Sequence, residues 1–395
     1  MIYKLNDLIE TANTGADAIK RAPILQEKTN LRCLRIGDVS QRRKFNEWGY
    51  TKTSREDYKR YKLHLGDIIV ARTGNTIGVN QYIDREIEAV YNNGLIRIKV
   101  NKEMILPKYF YYIVRGKSCQ DYIQSIAYGT STQPNMKIKD FLNFKIEVLG
   151  LDLQRGIVKI IDTIERKIAI NEIINDNLEQ QAQALFQELF IENADSEWPV
   201  GTISDIGTVV GGSTPSKAKP EYYTEDGIAW ITPKDLSINK LKFISHGESD
   251  ITELGLKNSS ASIMPEGTVL FSSRAPIGYI AIAASEVTTN QGFKSVVPKP
   301  EIGTAYVYYF LKQNLPIIEG MASGSTFKEI SGSTMRGVPA VIPNIGTITR
   351  FNDFCAPLFA QQRILEEQNQ SLSTLRDTLL PKLMSGEIDV SSIQL

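Results

Sequence analysis

The sequence predicts an α+β protein built as two mixed α/β domains joined by two long helices, which pair as an antiparallel coiled coil with pseudo-two-fold symmetry. Three observations predict this. Residues 1–193 and 194–395 carry the same landmarks in the same order, at an offset that shrinks from 198 to 194. Each half is about 150 residues of short strand and turn patterns followed by an almost uninterrupted helical stretch. The apolar residues of both helical stretches recur at alternating steps of four and three, the spacing of a coiled-coil seam.

The repeat is visible at four places. Leu5-Asn6-Asp7-Leu8 matches Ile203-Ser204-Asp205-Ile206, and Gly37-Asp38-Val39-Ser40 matches Lys234-Asp235-Leu236-Ser237. Gly129-Thr130-Ser131 returns as Gly324-Ser325-Thr326, and Asn175-Asp176-Asn177-Leu178 as Asn369-Gln370-Ser371-Leu372. The resulting division is 1–150 for the first domain, 151–193 for the first helix, 194–345 for the second domain and 346–395 for the second helix and tail. Duplex DNA also has local two-fold symmetry, so a duplicated protein can set one body on each half of a split site.

Within the domains, Gly66-Asp67-Ile68-Ile69-Val70-Ala71-Arg72 reads as a turn entering a strand, and Gly267-Thr268-Val269-Leu270-Phe271-Ser272-Ser273 as its counterpart. Tyr109-Phe110-Tyr111-Tyr112-Ile113-Val114 and Ala305-Tyr306-Val307-Tyr308-Tyr309-Phe310-Leu311 look like helices with an aromatic core face, with strand as the alternative for such short runs. The first seam is Ile157, Ile161, Ile164, Ile168, Asn171, Asn175, Leu178, Ala182, Leu185 and Leu189. Adding 194 gives Phe351, Cys355, Leu358, Gln362, Leu365, Asn369, Leu372, Arg376, Leu379 and Leu383, a weaker seam in the same register. Pro381 should kink or end the second helix. Some 38 residues make a rod of roughly 57 Å, long enough to hold two reading bodies about one DNA turn apart. If the halves obey a two-fold axis across the helices, the domains sit at opposite ends. Asn175 and Asn369, each near mid-seam, are the expected buried polar pair that fixes register.

Composition narrows the function. No apolar run approaches the length of a membrane span, and the N-terminus has no signal-peptide character. Cys33, Cys119 and Cys355 are scattered and odd in number, which fits free thiols in a cytoplasmic protein. Net charge is zero, yet residues 1–150 hold 25 Lys+Arg against 16 Asp+Glu, the balance a phosphate-binding surface wants. The helical stretches are acidic, which suits a protein-facing role because acid repels phosphate.

Signs of catalysis are absent from the sequence pattern. Gly211-Gly212-Ser213-Thr214-Pro215-Ser216-Lys217 has the wrong spacing for a phosphate loop, and Pro215 lacks an amide such a cradle would use. The only histidines, His64 and His246, have no metal-ligand spacing. The pattern argues for a binder, with neither cofactor nor metal of its own.

Four sets of loop residues could meet DNA. The first is Arg72, Thr73 and Asn75 with Ser272, Ser273 and Arg274, each just after a strand. Arginine can fork onto guanine and asparagine onto adenine. The second is Asn92 and Asn93 with Asn290 and Gln291, each followed by glycine and equally a tight-turn signal. The third is Thr130, Ser131, Thr132 and Gln133, followed by Lys137, with Ser325, Thr326 and Lys328, which suit phosphate contacts. The fourth, in the second domain alone, is Thr214, Ser216, Lys217 and Lys219.

Together these stretches resemble the specificity subunits of type I restriction–modification systems. The resemblance spans the whole chain. It is carried by Gly211-Gly212-Ser213-Thr214-Pro215-Ser216, by Ile228-Ala229-Trp230-Ile231-Thr232-Pro233-Lys234-Asp235-Leu236, by Gly324-Ser325-Thr326-Phe327, and by Leu375-Arg376-Asp377-Thr378-Leu379-Leu380-Pro381-Lys382-Leu383-Met384-Ser385-Gly386-Glu387-Ile388. The first half departs more, keeping Asp38 without the Trp-Ile-Thr pattern. The resemblance implies two target recognition domains that each read one half of a bipartite double-stranded DNA site, with paired helices setting the gap. It also implies two modification subunits, which bind S-adenosylmethionine, methylate adenine and dock around the helices, and restriction subunits that use ATP. The specificity subunit of a fused bipartite-site enzyme is the neighbouring alternative. A stand-alone DNA methyltransferase and a coiled-coil adaptor are the readings from other classes.

Overall fold

The computed structural model describes residues 1–127, 134–324 and 328–390. They form two units: residues 1–166 with the stretch from Leu372 onward, and Lys167–Ser371. Both long helices therefore serve both units, because each runs unbroken across a boundary. The first spans Leu151–Gln187 and ends in a π turn, Glu188–Glu192. The second spans Ile345–Met384, three residues past Pro381. Proline removes one amide donor, but Leu383 beyond it is fully buried, and that anchorage carries the helix through.

Unit 1 holds a four-stranded sheet in the order Ile9–Thr14, Leu95–Val100, Ile68–Ala71, Asn80–Tyr82, all neighbours antiparallel. A second sheet places Arg32–Leu34 between Gly49–Tyr50 and Ala89–Tyr91. Gly66, at φ +91, makes the turn that launches Ile68–Ala71, a strand buried along its whole length. The aromatic segment is a helix, Pro107–Arg115, with Tyr109, Phe110 and Tyr112 in the core. Ile157 and Ile161 of the first long helix join that core, as do Leu380 and Leu383 of the second.

Unit 2 repeats the plan with additions. Its larger sheet runs Gly207–Gly211, Lys294–Pro298, Val269–Ser273, Ile277–Ala283, Phe243–Ile244. Its smaller sheet runs Tyr223–Thr224, Ser249–Ile251, Ile228–Ile231, Thr288–Thr289. Gly267, at φ +83, repeats the turn of Gly66. The aromatic helix Thr304–Gln313 packs Tyr306 and Tyr309 against Phe186, Phe190 and Phe351 of the long helices, with ring centroids 4.9–6.0 Å apart. In each unit a two-stranded ribbon ties the start of the body to its end: Ile2–Lys4 with Lys145–Glu147, and Val200–Thr202 with Pro339–Val341.

All ten positions of each seam are buried or half-buried. Within unit 2 the helices run antiparallel, since Phe186 meets Phe351 while Asn171 meets Asn369. Within unit 1 the sense is the same, with Ile157 and Leu383 lining one cavity and Arg115 bridging Glu165 to Asp377. The polar contact differs from the expected one. Asn369 accepts from the Asn171 amide at 2.8 Å, while the Asn175 side-chain oxygen is buried without a partner. The Gln362 amide reaches the Asn175 carbonyl at 3.3 Å, and the Asn369 amide reaches the Ile168 carbonyl at 3.4 Å. The two residue pairs are equivalent under the 194-residue offset, but in both the second helix donates and the first accepts, so the direction of the bond is not repeated.

Candidate nucleic-acid interface

In both bodies the loops of the first two sets meet at the end of the central sheet strand, joined there by Met136 in unit 1 and Ile330 in unit 2, through equivalent backbone hydrogen bonds. In unit 1 the Arg72 amide donates to Gly94 and the Arg72 carbonyl accepts from Met136. In unit 2 the Ser273 amide donates to Gly292 and its carbonyl accepts from Ile330. The Asn-x-Gly turns sit alike as well, with Asn92 donating to Leu34 and Asn290 to Ile231. Space at the end of each turn is tight, so a side chain there would have to displace its neighbour. A Cβ on Gly94 would lie 2.4 Å from Ile36, and one on Gly292 would lie 3.0 Å from Pro233.

The short helical turns after Arg32–Leu34 and Ile228–Ile231 are pinned by the repeated aspartate. Buried Asp38 accepts from the Arg35 amide at 3.0 Å and pairs with Arg43 at 3.1 Å. Buried Asp235 accepts from the Thr232 amide at 2.7 Å and from the Glu248 amide at 2.9 Å. Each is a helix cap, which orients the residues beside it.

In unit 2 this scaffold walls a cleft of about 590 Å³. Thr214, Lys217, Asn290 and Gln291 line it, together with Trp230, Tyr223, Lys234 and Glu248. The Trp230 indole donates to the Ser213 carbonyl at 3.0 Å, and the Tyr223 hydroxyl to the Pro215 carbonyl at 2.6 Å. These bonds hold the Gly-Gly-Ser-Thr-Pro loop against the cleft wall, where Thr214 donates to the Gln291 amide oxygen. The second and fourth sets thus share one site. Trp230, Tyr223 and Glu248 were not singled out as site residues from the sequence. The one available signal was that Trp230 lies in the stretch carrying the family resemblance.

The individual placements follow. Arg72 is half-buried, with one guanidinium nitrogen 3.1 Å from the Asn135 amide oxygen. Thr73 is half-buried and Asn75 exposed. Asn92 is half-buried, its side-chain oxygen enclosed without a partner, whereas Asn93 is exposed. Asn290 accepts from the Gly292 amide at 2.8 Å, and Gln291 is exposed. Ser216, Lys217, Lys219, Lys137 and Lys328 are exposed. Arg274 lies 3.6 Å from Glu329, which also sits 3.9 Å from Lys294. Burial, the largest influence, draws the Lys294 ammonium below its ordinary pKa despite that carboxylate. Ser272 and Ser273 are fully buried. Their hydroxyls donate to Pro276 at 2.9 Å and Gly292 at 3.1 Å, so they shape the turn and present nothing to a ligand. Thr130, Ser131, Thr132, Gln133, Ser325 and Thr326 lie outside the described residues.

The three cysteines are buried free thiols. Burial pushes Cys33 up to about 11 and Cys119 and Cys355 to about 12, the opposite of an activated nucleophile. Among the described residues no helix is long and apolar enough to cross a membrane.

Comparison with known proteins agrees with this layout. The type I restriction modification DNA specificity domain matches twice, over residues 1–180 and 195–375. The MjaIX specificity subunit of Methanocaldococcus jannaschii is 42% identical over 191 residues, which is 46% of this chain but only 44% of that protein. The HindI specificity subunit of Haemophilus influenzae is 23% identical across 82% of this chain and 87% of its own length. The crystal structure of a type I S subunit from M. genitalium superposes with a TM-score of 0.57 at 16% identity, covering 97% of this chain and 95% of that one, which is a likeness of fold.

Proposed function

Since the chain belongs to the type I restriction–modification DNA specificity family, with the family domain in each half, we propose that it is the sequence-specific DNA-binding specificity subunit of such a complex. Residues 1–150 and 194–345 each read one half of a bipartite duplex site, and the helices over 151–193 and 346–395 set the gap. The observation that carries this reading is the loop cluster, assembled in both bodies by the same hydrogen bonds. A split duplex site asks for such a pair of heads.

Arg72 and Arg274 are the base-reading candidates. The exposed Arg274–Glu329 pair is worth about 0–1 kcal/mol, whereas a forked contact to guanine discriminates by about 1–3 kcal/mol, so the guanidinium transfers readily to a base edge. Asn93 and Gln291 present exposed amide heads beside them, the Gln291 oxygen already accepting from Thr214, while Asn92 and Asn290 serve the turns. Lys137, Lys217, Lys219 and Lys328 suit phosphate contacts, which hold position without reading sequence. The subunit is not itself catalytic. Two modification subunits carrying S-adenosylmethionine dock on the acidic helices, and ATP-using restriction subunits complete the assembly in the cytoplasm.

Mapping of methylated adenines across the genome, with and without the gene, tests this. We expect one two-part motif to vanish on deletion. An unchanged methylation pattern, or S-adenosylmethionine binding by the isolated chain, would overturn the assignment.

A further inference from the structure

Each body carries a second repeated construction, on its aromatic helix. Tyr112 and Arg115 in unit 1 correspond to Tyr309 and Lys312 in unit 2, in each case a tyrosine with a cation three residues on. In unit 1 the Tyr112 hydroxyl donates to Asp162 at 2.9 Å, Arg115 pairs with Glu165 at 3.2 Å, and Lys108 pairs with Asp162 at 2.6 Å. In unit 2 the Tyr309 hydroxyl donates to Glu179 at 2.9 Å and Lys312 pairs with Glu179 at 2.6 Å. Buried Lys242 adds a third bond to Glu179 at 2.6 Å and a fourth to Gln362 at 2.9 Å, with its ammonium 3.8 Å from the Phe359 ring centroid. Glu366 of the second long helix accepts from the Lys242 and Phe243 amides at 3.0 and 3.1 Å. One body is thus bonded to both long helices through a desolvated ionic cluster.

Stability alone does not call for such a cluster, because desolvating the charges cancels most of what their attraction contributes. Direction is what it adds. An aromatic surface lets one element slide or rock on another, whereas three bonds to Glu179, one to Gln362 and two to Glu366 admit one orientation. We infer that the clamp of Lys242, Tyr309 and Lys312 on Glu179, with Glu366 beside it, is a positioning device that fixes its reading body on the helix pair and thereby sets how strictly the gap between half-sites is measured. This rests on the reading under Proposed function. Adding one base pair to the gap shifts a half-site by about 3.4 Å and turns it by about 35°, so a rigidly held head rejects it and a rocking head tolerates it.

The experiment uses the full complex with its modification subunits, and DNA in which the half-sites are constant and the gap varies by one base pair either way. Lys242→Met with Glu179→Gln removes the clamp without orphaning a buried charge. Lys312→Met, at a half-exposed position, is the milder variant and decides the matter if the double substitution does not fold. We expect discrimination against the altered gaps to narrow by about tenfold, with base preference inside each half-site unchanged. Unchanged gap discrimination in the folded variants, or equal loss of gap and base preference, overturns the inference alone. A wild-type complex that methylates no bipartite site overturns the functional reading and the clamp's role together.

Discussion

Replacing Asn171 by leucine removes the donor that satisfies the Asn369 side-chain oxygen at 2.8 Å inside the helix pair. Asn171 is fully buried, so water does not replace it. The stranded acceptor costs about 1–3 kcal/mol, partly offset by the apolar surface of the new leucine. Asn369→Leu costs less, because the Asn171 amide keeps its longer bond to the Gln368 side-chain oxygen at 3.4 Å. With both asparagines replaced, nothing polar is left unpaired and two leucines fill the seam, so the double variant should be at least as stable as the wild type. The cycle therefore carries a coupling of about 1–3 kcal/mol, measured by urea unfolding followed through the far-ultraviolet helix signal. Asn175→Leu is the control. Its side-chain oxygen is already buried and unpartnered, so its loss should be neutral or stabilising. A double variant as unstable as the sum of the single ones would refute the pairing, and a destabilised Asn175→Leu would refute its unpaired state.

Three further outcomes are expected. Arg72→Ala or Arg274→Ala should relax base choice in one half-site by about 1–3 kcal/mol, read from binding to a panel of single-base substitutions; a uniform loss across the panel would assign the arginine to phosphate instead. One heptad inserted into each long helix adds about 10 Å, so the preferred gap should lengthen by about three base pairs, and an unmoved gap would remove the spacer role. The third concerns pH. Burial raises the Glu179 pKa, but Lys242 and Lys312 outweigh it and hold the carboxyl near about 2. A folded-state pKa below the unfolded one means that the contribution is intact above roughly pH 5 and is lost as pH falls towards 2. The stability advantage over Glu179→Gln should therefore shrink on acidification. Burial raises Glu366 beside it and the Glu179 charge raises it further, so Glu179→Gln also relieves Glu366, which offsets part of the difference without abolishing it. A pH-independent difference would contradict the ionic clamp.

Periodicity made the long helices legible, because a seam of alternating four and three steps has few other uses, and every position of it is withdrawn from solvent. The aromatic helices were half-legible: dense tyrosine marks a core face, but six or seven residues do not separate helix from strand. Register was not legible. The 194-residue offset says which positions are equivalent, not which ones meet across an antiparallel pair, and so Asn175 was placed opposite Asn369 where Asn171 stands. The turn serines were misleading for a related reason. A hydroxyl in a glycine-rich loop can serve a phosphate or a neighbouring carbonyl, and burial of Ser272 and Ser273 decides for the carbonyl. The Trp230–Tyr223 wall of the cleft escaped notice because strand aromatics ordinarily belong to a core, and only the fold turns these two towards a loop.

The sharing of the second long helix has a consequence for synthesis. Leu380, Leu383 and Val390 are packed in the same core as Leu5 and Leu8. The core of the N-terminal body is therefore completed only after the second body has been translated, when Leu380, Leu383 and Val390 emerge. A truncation before Leu380 would injure the first-made body more than the last-made, an inversion of the usual polarity of truncation.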